Sequence, residues 1–155
     1  MTTAKLNLDN YLPYLVNRVG TSIAEQFGAE ALASYGLSIA MWRVMAVLAS
    51  TGAQRQIDLA ALTSIEVSTL SRIVTRMVRM GVVSRTRSTS STREVVVKLT
   101  AKGNGQVERL IPIARDYESV ATAGLSADDV AVLKRCLRRV YANMRNRQVT
   151  AVAAA

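Results

Sequence analysis

The stretch "VSTLSRIVTRMVRMGVVSRTRS", Val67 to Ser88, is poor in acid and rich in arginine, and it carries serine and threonine where a surface helix usually has glutamate. Through Met80 the apolar residues Val67, Leu70, Ile73, Val74, Met77 and Met80 recur at steps of three and four or close to it, the period of a helix with one buried face. The opposite face holds Ser68, Thr69, Ser71, Arg72, Thr75, Arg76 and Arg79. Gly81 follows where a helix commonly ends on a left-handed residue. The period then changes: "VVSRTR" and "EVVVKL" are β-branched runs flanking the polar residues Ser88 to Arg93, which predicts a two-stranded hairpin with a polar tip.

Working upstream, "QIDLAALTS" predicts a short helix stopped by Thr63 and Ser64. A short helix, a tight turn at Ser64 to Glu66 and a second helix with its polar N-terminal end exposed form a helix-turn-helix arrangement. Before it, Ser38 opens "IAMWRVMAVLA", with Met41, Val44, Met45 and Leu48 at helical spacing, and Ser50, Thr51 and Gly52 end it. Asn10 is placed to cap a helix running to about Phe27, with Pro13 tolerated in its first turn and Leu12, Leu15, Val19 and Ile23 as its apolar stripe. Downstream, Thr100 caps a long helix from about Ala101 to Ala123, bent at Pro112, and Ser126 with Asp129 has the form of a capping box for the last helix. There Val130, Leu133, Leu137, Val140 and Met144 repeat at alternating steps of three and four, a narrow coiled-coil-like seam. The expected fold is mainly α with a small β-hairpin wing. No internal repeat or linker divides the chain.

Composition narrows the function. With 155 residues, half of them hydrophobic, the chain fits one compact domain or one subunit of an intertwined oligomer. The single cysteine, Cys136, excludes an intramolecular disulfide and fits a reducing, cytoplasmic compartment. No signal peptide is expected, and no apolar run approaches the roughly 18 residues of a membrane span. The net charge of +9 is unevenly spread: residues up to Ile65 balance to zero, Glu66 to Arg109 carry +6, and the remainder +3. Histidine is absent, which excludes a His-dependent triad and the usual zinc sites, and the acids form no paired motif; neither catalytic nor metal-binding residues are expected, nor any cofactor.

A basic patch in this position is the electrostatic footprint of a polyanion. The B-DNA major groove admits a helix, arginine binds guanine O6 and N7 with both arms, and Ser and Thr reach phosphates or base edges. Ser68, Thr69, Ser71, Arg72, Thr75 and Arg76 are therefore the expected DNA contacts of the helix. Arg85, Arg87 and Arg93 on the hairpin supply a second set, suited to the negative potential of the minor groove. An ordinary amphipathic helix would explain the apolar stripe but not the missing acids. A sequence-indifferent architectural DNA-binding protein is the competing reading, because charge alone gives nonspecific affinity. A membrane-surface protein would carry lysines and bulky apolar residues on one exposed helix, and that pattern is missing.

The chain resembles the MarR-type winged helix-turn-helix transcriptional regulators. The matching stretches are "LSIAMWRVMAVLA", "LAALTSIEVSTLSRIVTRMVRMGVVSR", "REVVVKLTAKG" and "LSADDVAVLKRCLRRV". The family's wing usually reads Asp-x-Arg, five residues, then Leu-Thr; Arg93, Leu99 and Thr100 fit, but Ser91 stands at the aspartate that braces the wing arginine in the family. The resemblance implies one subunit over residues 1–155. Within it, residues 37–100 form the winged DNA-binding region, and residues 8–34 and 101–147 form dimerisation helices. It further implies a homodimer on double-stranded DNA, placing two recognition helices on a pseudo-palindromic operator, and a repressor released by a small-molecule effector. Tyr11, Tyr14 and Arg18 at i, i+3 and i+7, with Trp42 and Arg43 on the next helix, are the residues expected to hold an anionic aromatic or acyl ligand.

Overall fold

Ser38 opens the helix around which the core is built: its hydroxyl oxygen accepts the Met41 N–H at 3.3 Å, at the start of a helix over Ile39–Thr51. The computed structural model describes residues 5–87 and 94–153. In chain order the α-helices are α1 (Leu12–Phe27), α2 (Ile39–Thr51), α3 (Gln56–Thr63), α4 (Val67–Arg79), α5 (Ala101–Ala121) and α6 (Ala127–Ala153), and the strands are β1 (Gln54–Arg55), β2 (Val83–Arg87) and β3 (Val95–Leu99). The chain divides into a unit up to Tyr117 and a unit from Glu118 onward.

In the first unit, Met41, Val44, Met45 and Leu48 of α2 are all buried, as their spacing predicts. They share a core with Leu59 of α3, with Leu70, Val74 and Met77 of α4, and with Val83 and Val97 of the sheet. Val107 and Leu110 of α5 complete it. Phe27 closes the α1 end, meeting the Trp42 and Tyr117 rings edge-on at 5.5 and 5.3 Å between centroids, a geometry that matches ring edges to ring faces. The Tyr117 hydroxyl donates to the Glu30 carboxylate, and this bond raises the phenol's pKa.

The fold class is as expected, with two local corrections. The first concerns the sheet, which has three strands rather than two, in the order β1-β3-β2 and antiparallel throughout. Gln54 pairs with Val97 and Arg55 with Val96, so β3 is the central strand. A two-residue strand without a β-branched residue leaves no periodic signal; β3 imposes it from a distance. The second concerns the first helix. Asn10 is the last residue of a 3-10 turn, Leu8–Asn10, which Asn7 caps, and Tyr11 is the N-cap of α1. Pro13 explains the shift, because it lacks the N–H that an Asn10 cap would bind at the third helical position.

At the far side of the sheet, the start of α5 is locked onto the turn after α4. The Thr100 N–H donates to Val82 O at 3.1 Å, its hydroxyl donates to Gly81 O at 2.7 Å and accepts from the Gly103 N–H at 3.1 Å, and Lys102 Nζ reaches Met80 O at 2.9 Å. α5 ends at Ala121, two residues earlier than expected.

In the second unit, Ser126 and Asp129 form the expected capping box: the Asp129 N–H donates to Ser126 Oγ at 3.1 Å and the Ser126 N–H to Asp129 Oδ2 at 3.3 Å. Along α6 the seam residues Leu133, Leu137, Val140 and Met144 remain 38 to 57% exposed. In the first unit the α1 stripe of Leu12, Leu15, Val19 and Ile23 is likewise exposed. No single helix among the described residues is long and apolar enough to cross a membrane.

Candidate nucleic-acid interface

The turn between α3 and α4 is tight because Ser64 takes a left-handed conformation, φ 54°, letting its own N–H and that of Ile65 fold back onto the end of α3. Glu66 then caps α4. Its carboxylate accepts the Ser68 and Thr69 N–H groups, each at 3.0 Å, and the Ser68 hydroxyl. The Ser68 hydroxyl bond first, then the two backbone N–H bonds, hold the Glu66 pKa down at about 2 rather than 4.5. A carboxylate at a helix N-terminus also meets the positive end of the helix dipole. Glu66 was not among the residues singled out from the sequence. Its signal was the run Glu66-x-Ser68-Thr69, an acid placed to reach the N–H groups two and three residues ahead.

The polar and apolar faces of α4 differ in burial. Leu70, Val74 and Met77 are fully buried, while Ser68, Thr69, Arg72, Arg76 and Arg79 are exposed and Ser71 and Thr75 are half-buried. The Thr75 hydroxyl donates to Ser71 O at 2.9 Å. Val67, assigned to the apolar face, is 47% exposed because it is the first residue of the helix and overhangs the turn. Thirteen residues make α4 about 20 Å long at about 1.5 Å per residue, enough to lie along the major groove.

On the wing, Arg85 and Arg87 lie on β2, opposite Val97 and Val95, and both are exposed. Arg93 and the rest of the polar tip, Ser88 to Arg93 and so Ser91 as well, lie outside the described residues. None of Arg72, Arg76, Arg79, Arg85 and Arg87 makes an ion pair with a described residue. By contrast Arg55, at the wing's root, is fully engaged. It binds Asp58 through two parallel bonds, Nε to Oδ2 at 2.6 Å and Nη2 to Oδ1 at 3.1 Å, and Glu94 Oε1 through Nη1 at 3.0 Å. The hydrogen bond to Asp58, then that to Glu94, raises the guanidinium's pKa above its ordinary value.

The five residues expected to hold a small ligand do not converge on one point. Arg18 stacks over the Tyr14 ring, 5.6 Å from its centroid. Tyr11 is the half-exposed N-cap of α1, and Trp42 packs on Phe27. Arg43 alone of the five lines a cavity of about 400 Å³, together with Val16, Asn17, Gly20, Thr21, Ala24 and Glu25. Five of those six, all but Val16, are small or polar residues of α1 outside its apolar stripe, which gave no signal in the sequence. Cys136, on α6, is exposed.

Three comparisons bear on this arrangement. The MarR family model matches residues 37–95, from just before α2 to the start of β3. An HTH-type transcriptional repressor of Mycobacterium tuberculosis is 26% identical over 132 residues, 85% of this chain and 94% of its own. Among solved structures, a MarR family transcriptional regulator from Silicibacter pomeroyi superposes with a TM-score of 0.80 at 27% identity, covering 88% of this chain and 91% of its own. A mutant MarR from Escherichia coli complexed with operator DNA gives 0.78 at 25% identity, covering 89% and 99%.

Proposed function

Because the chain belongs to the MarR family of winged helix-turn-helix transcriptional regulators, we propose that it works as a homodimeric, sequence-specific repressor, released from a pseudo-palindromic operator by a small anionic ligand. Regulation of transcription through DNA binding comes with the family, and enzymatic chemistry does not. The observation that carries the sequence-specific reading is the α4 face. Arg72 and Arg76 are exposed and free of ion pairs among the described residues, on a helix whose other side is anchored by fully buried Leu70, Val74 and Met77. A rigidly held helix with free bidentate donors is what base recognition needs.

Dimerisation is supported by the two exposed apolar stripes, on α1 and on α6. Contiguous exposed leucine and valine on helices of this length favour burial against a second copy. Two recognition helices would then meet half-sites about one helical turn, roughly 34 Å, apart. If about eight phosphates are neutralised per dimer, affinity falls with a log–log salt slope of about −7. The effector reading rests on the cavity beside Arg43, whose guanidinium suits a carboxylate or phosphate. A DNA-binding repressor works in the cytoplasm, with its operator.

The test is selection of bound duplexes from a random DNA pool at physiological salt, read by sequencing. An enriched inverted repeat supports the dimeric, sequence-specific regulator. Binding without an enriched motif favours the architectural alternative and removes Ser68, Thr69, Arg72 and Arg76 from base recognition.

A further inference from the structure

We infer that Arg55 is a positioning residue for DNA binding: by clamping Asp58 and holding Glu94, it fastens the returning arm of the wing to the helix-turn-helix, so that wing and α4 engage DNA as one body. The inference rests on the DNA-binding reading above. Among the described residues the wing is held by two ladders, neither of which includes Glu94. The β2–β3 ladder has its last rung at Arg87 and Val95, and the β1–β3 ladder at Arg55 and Val96. Glu94 is the next residue toward the tip, and its bond to Arg55 is the one side-chain tie beyond the last rung among the described residues.

The chemistry of the tie suits alignment. Asp58 takes one edge of the guanidinium with two parallel bonds, which fixes the plane of the group, and the remaining arm then points at Glu94. Asp58 lies in the first turn of α3, so the clamp is anchored on the helix-turn-helix itself. Arg55 is 49% exposed, so little stability is expected from the ion pairs as such. The gain is in order: a wing root already oriented in the free protein loses less freedom when DNA binds. It also bears on the residue that stands where the family places its wing aspartate, Ser91, which has no carboxylate to offer.

The sign of one substitution separates this from simple electrostatics. Glu94 is an acid near a surface that meets phosphate, so without a bracing role Glu94→Gln removes a repulsion and tightens binding. With the brace, Glu94→Gln weakens it. The experiment measures affinity of the full-length protein for the duplex recovered by selection, for wild type, Glu94→Gln, Arg55→Lys and the double variant, at two salt concentrations. Each single variant is expected to bind about three- to tenfold more weakly, and the double variant no more weakly than the weaker single one, since one tie is lost once. A repeat selection with Glu94→Gln should blur base preference at the flanks while the positions read by α4 keep theirs; a folding defect would lower all positions together and shift the thermal midpoint. Tighter binding by Glu94→Gln, or additive losses, would overturn the brace alone. Failure of the wild-type protein to bind any duplex would overturn the brace together with the reading beneath it.

Discussion

Two glycines in the first turns of α5, two residues apart, should respond in opposite directions to the same substitution. A methyl group built on Gly103 lies 2.0 Å from the Val82 carbonyl oxygen and 3.0 Å from its carbon, both backbone atoms, and 3.1 Å from Leu99 Cδ2. No rotamer change relieves a backbone clash of that depth, so α5 must move away by more than an ångström. That displacement also breaks the Thr100 N–H to Val82 O bond at 3.1 Å, because the same oxygen is its acceptor. Overpacking costs about 1–3 kcal/mol and the lost bond about 1 kcal/mol, while alanine's better helix propensity returns about 1 kcal/mol. Gly103→Ala should therefore destabilise the protein by about 2 kcal/mol, lowering Tm by about 4–8 °C for a chain of this size. Gly105 has nothing within 4 Å of its added carbon, so Gly105→Ala keeps only the propensity gain, about 0.5–1 kcal/mol of stabilisation. Urea unfolding of both variants at one fixed protein concentration is the assay, since an oligomer's apparent stability depends on concentration. A Gly103→Ala protein as stable as wild type would refute the close approach of α5 to Val82 and the locking of the start of α5 onto the turn after α4.

Arg72→Ala or Arg76→Ala should cost about 1–3 kcal/mol of operator affinity if the residue reads a base, with relaxed preference at that position; an equal loss on all duplexes would assign it to phosphate. The Glu66 carboxylate should titrate at about 2, followed by NMR of its side-chain carbon. Its pKa is depressed on folding, so its contribution to capping α4 is complete above the ordinary value of 4.5 and is lost as pH falls through about 2; a midpoint near 4.5 would mean that the cap does not form. Truncation after Asp129 removes the α6 seam and should abolish the dimer in sedimentation experiments, while a dimer that persists would place the interface elsewhere.

What was legible in the sequence was local. α2 and α4 are marked by apolar spacing, and Ser38, Thr100 and the Ser126–Asp129 box by side chains that bond within three residues of themselves. What was not legible depends on residues far apart in the chain. β1 exists because β3 arrives beside it about 40 residues later, and the Arg55–Glu94 bond spans 39 residues. Trp42 shows the same limit from the other side. A tryptophan beside an arginine at the start of a helix invites a ligand reading, yet only the fold brings Phe27 against it. Glu66 was hidden for a different reason: on a face judged by its lack of acid, an acid at the edge counts against the pattern until its three bonds to Ser68 and Thr69 are visible.

Those bonds also refine which contacts the α4 face can make. Glu66 and the Ser71 carbonyl can only accept hydrogen bonds, so the Ser68 and Thr75 hydroxyls bound to them must be donating their protons. Phosphate oxygens are acceptors as well, so neither hydroxyl can bind phosphate without giving up its bond within the helix. Each retains lone pairs, and the base-edge donors of the major groove are the amino groups of adenine and cytosine. The arginines, free of ion pairs among the described residues, carry donors only and suit guanine and phosphate. On the proposed DNA-binding role the face would divide its work by hydrogen-bond polarity: arginine would meet acceptors on the DNA, and a serine or threonine already committed to its own helix would meet donors. Ser68→Ala should then relax a preference for adenine or cytosine at one operator position while leaving the salt dependence of binding unchanged. A shallower salt slope for that variant would show instead that the hydroxyl had left Glu66 for phosphate.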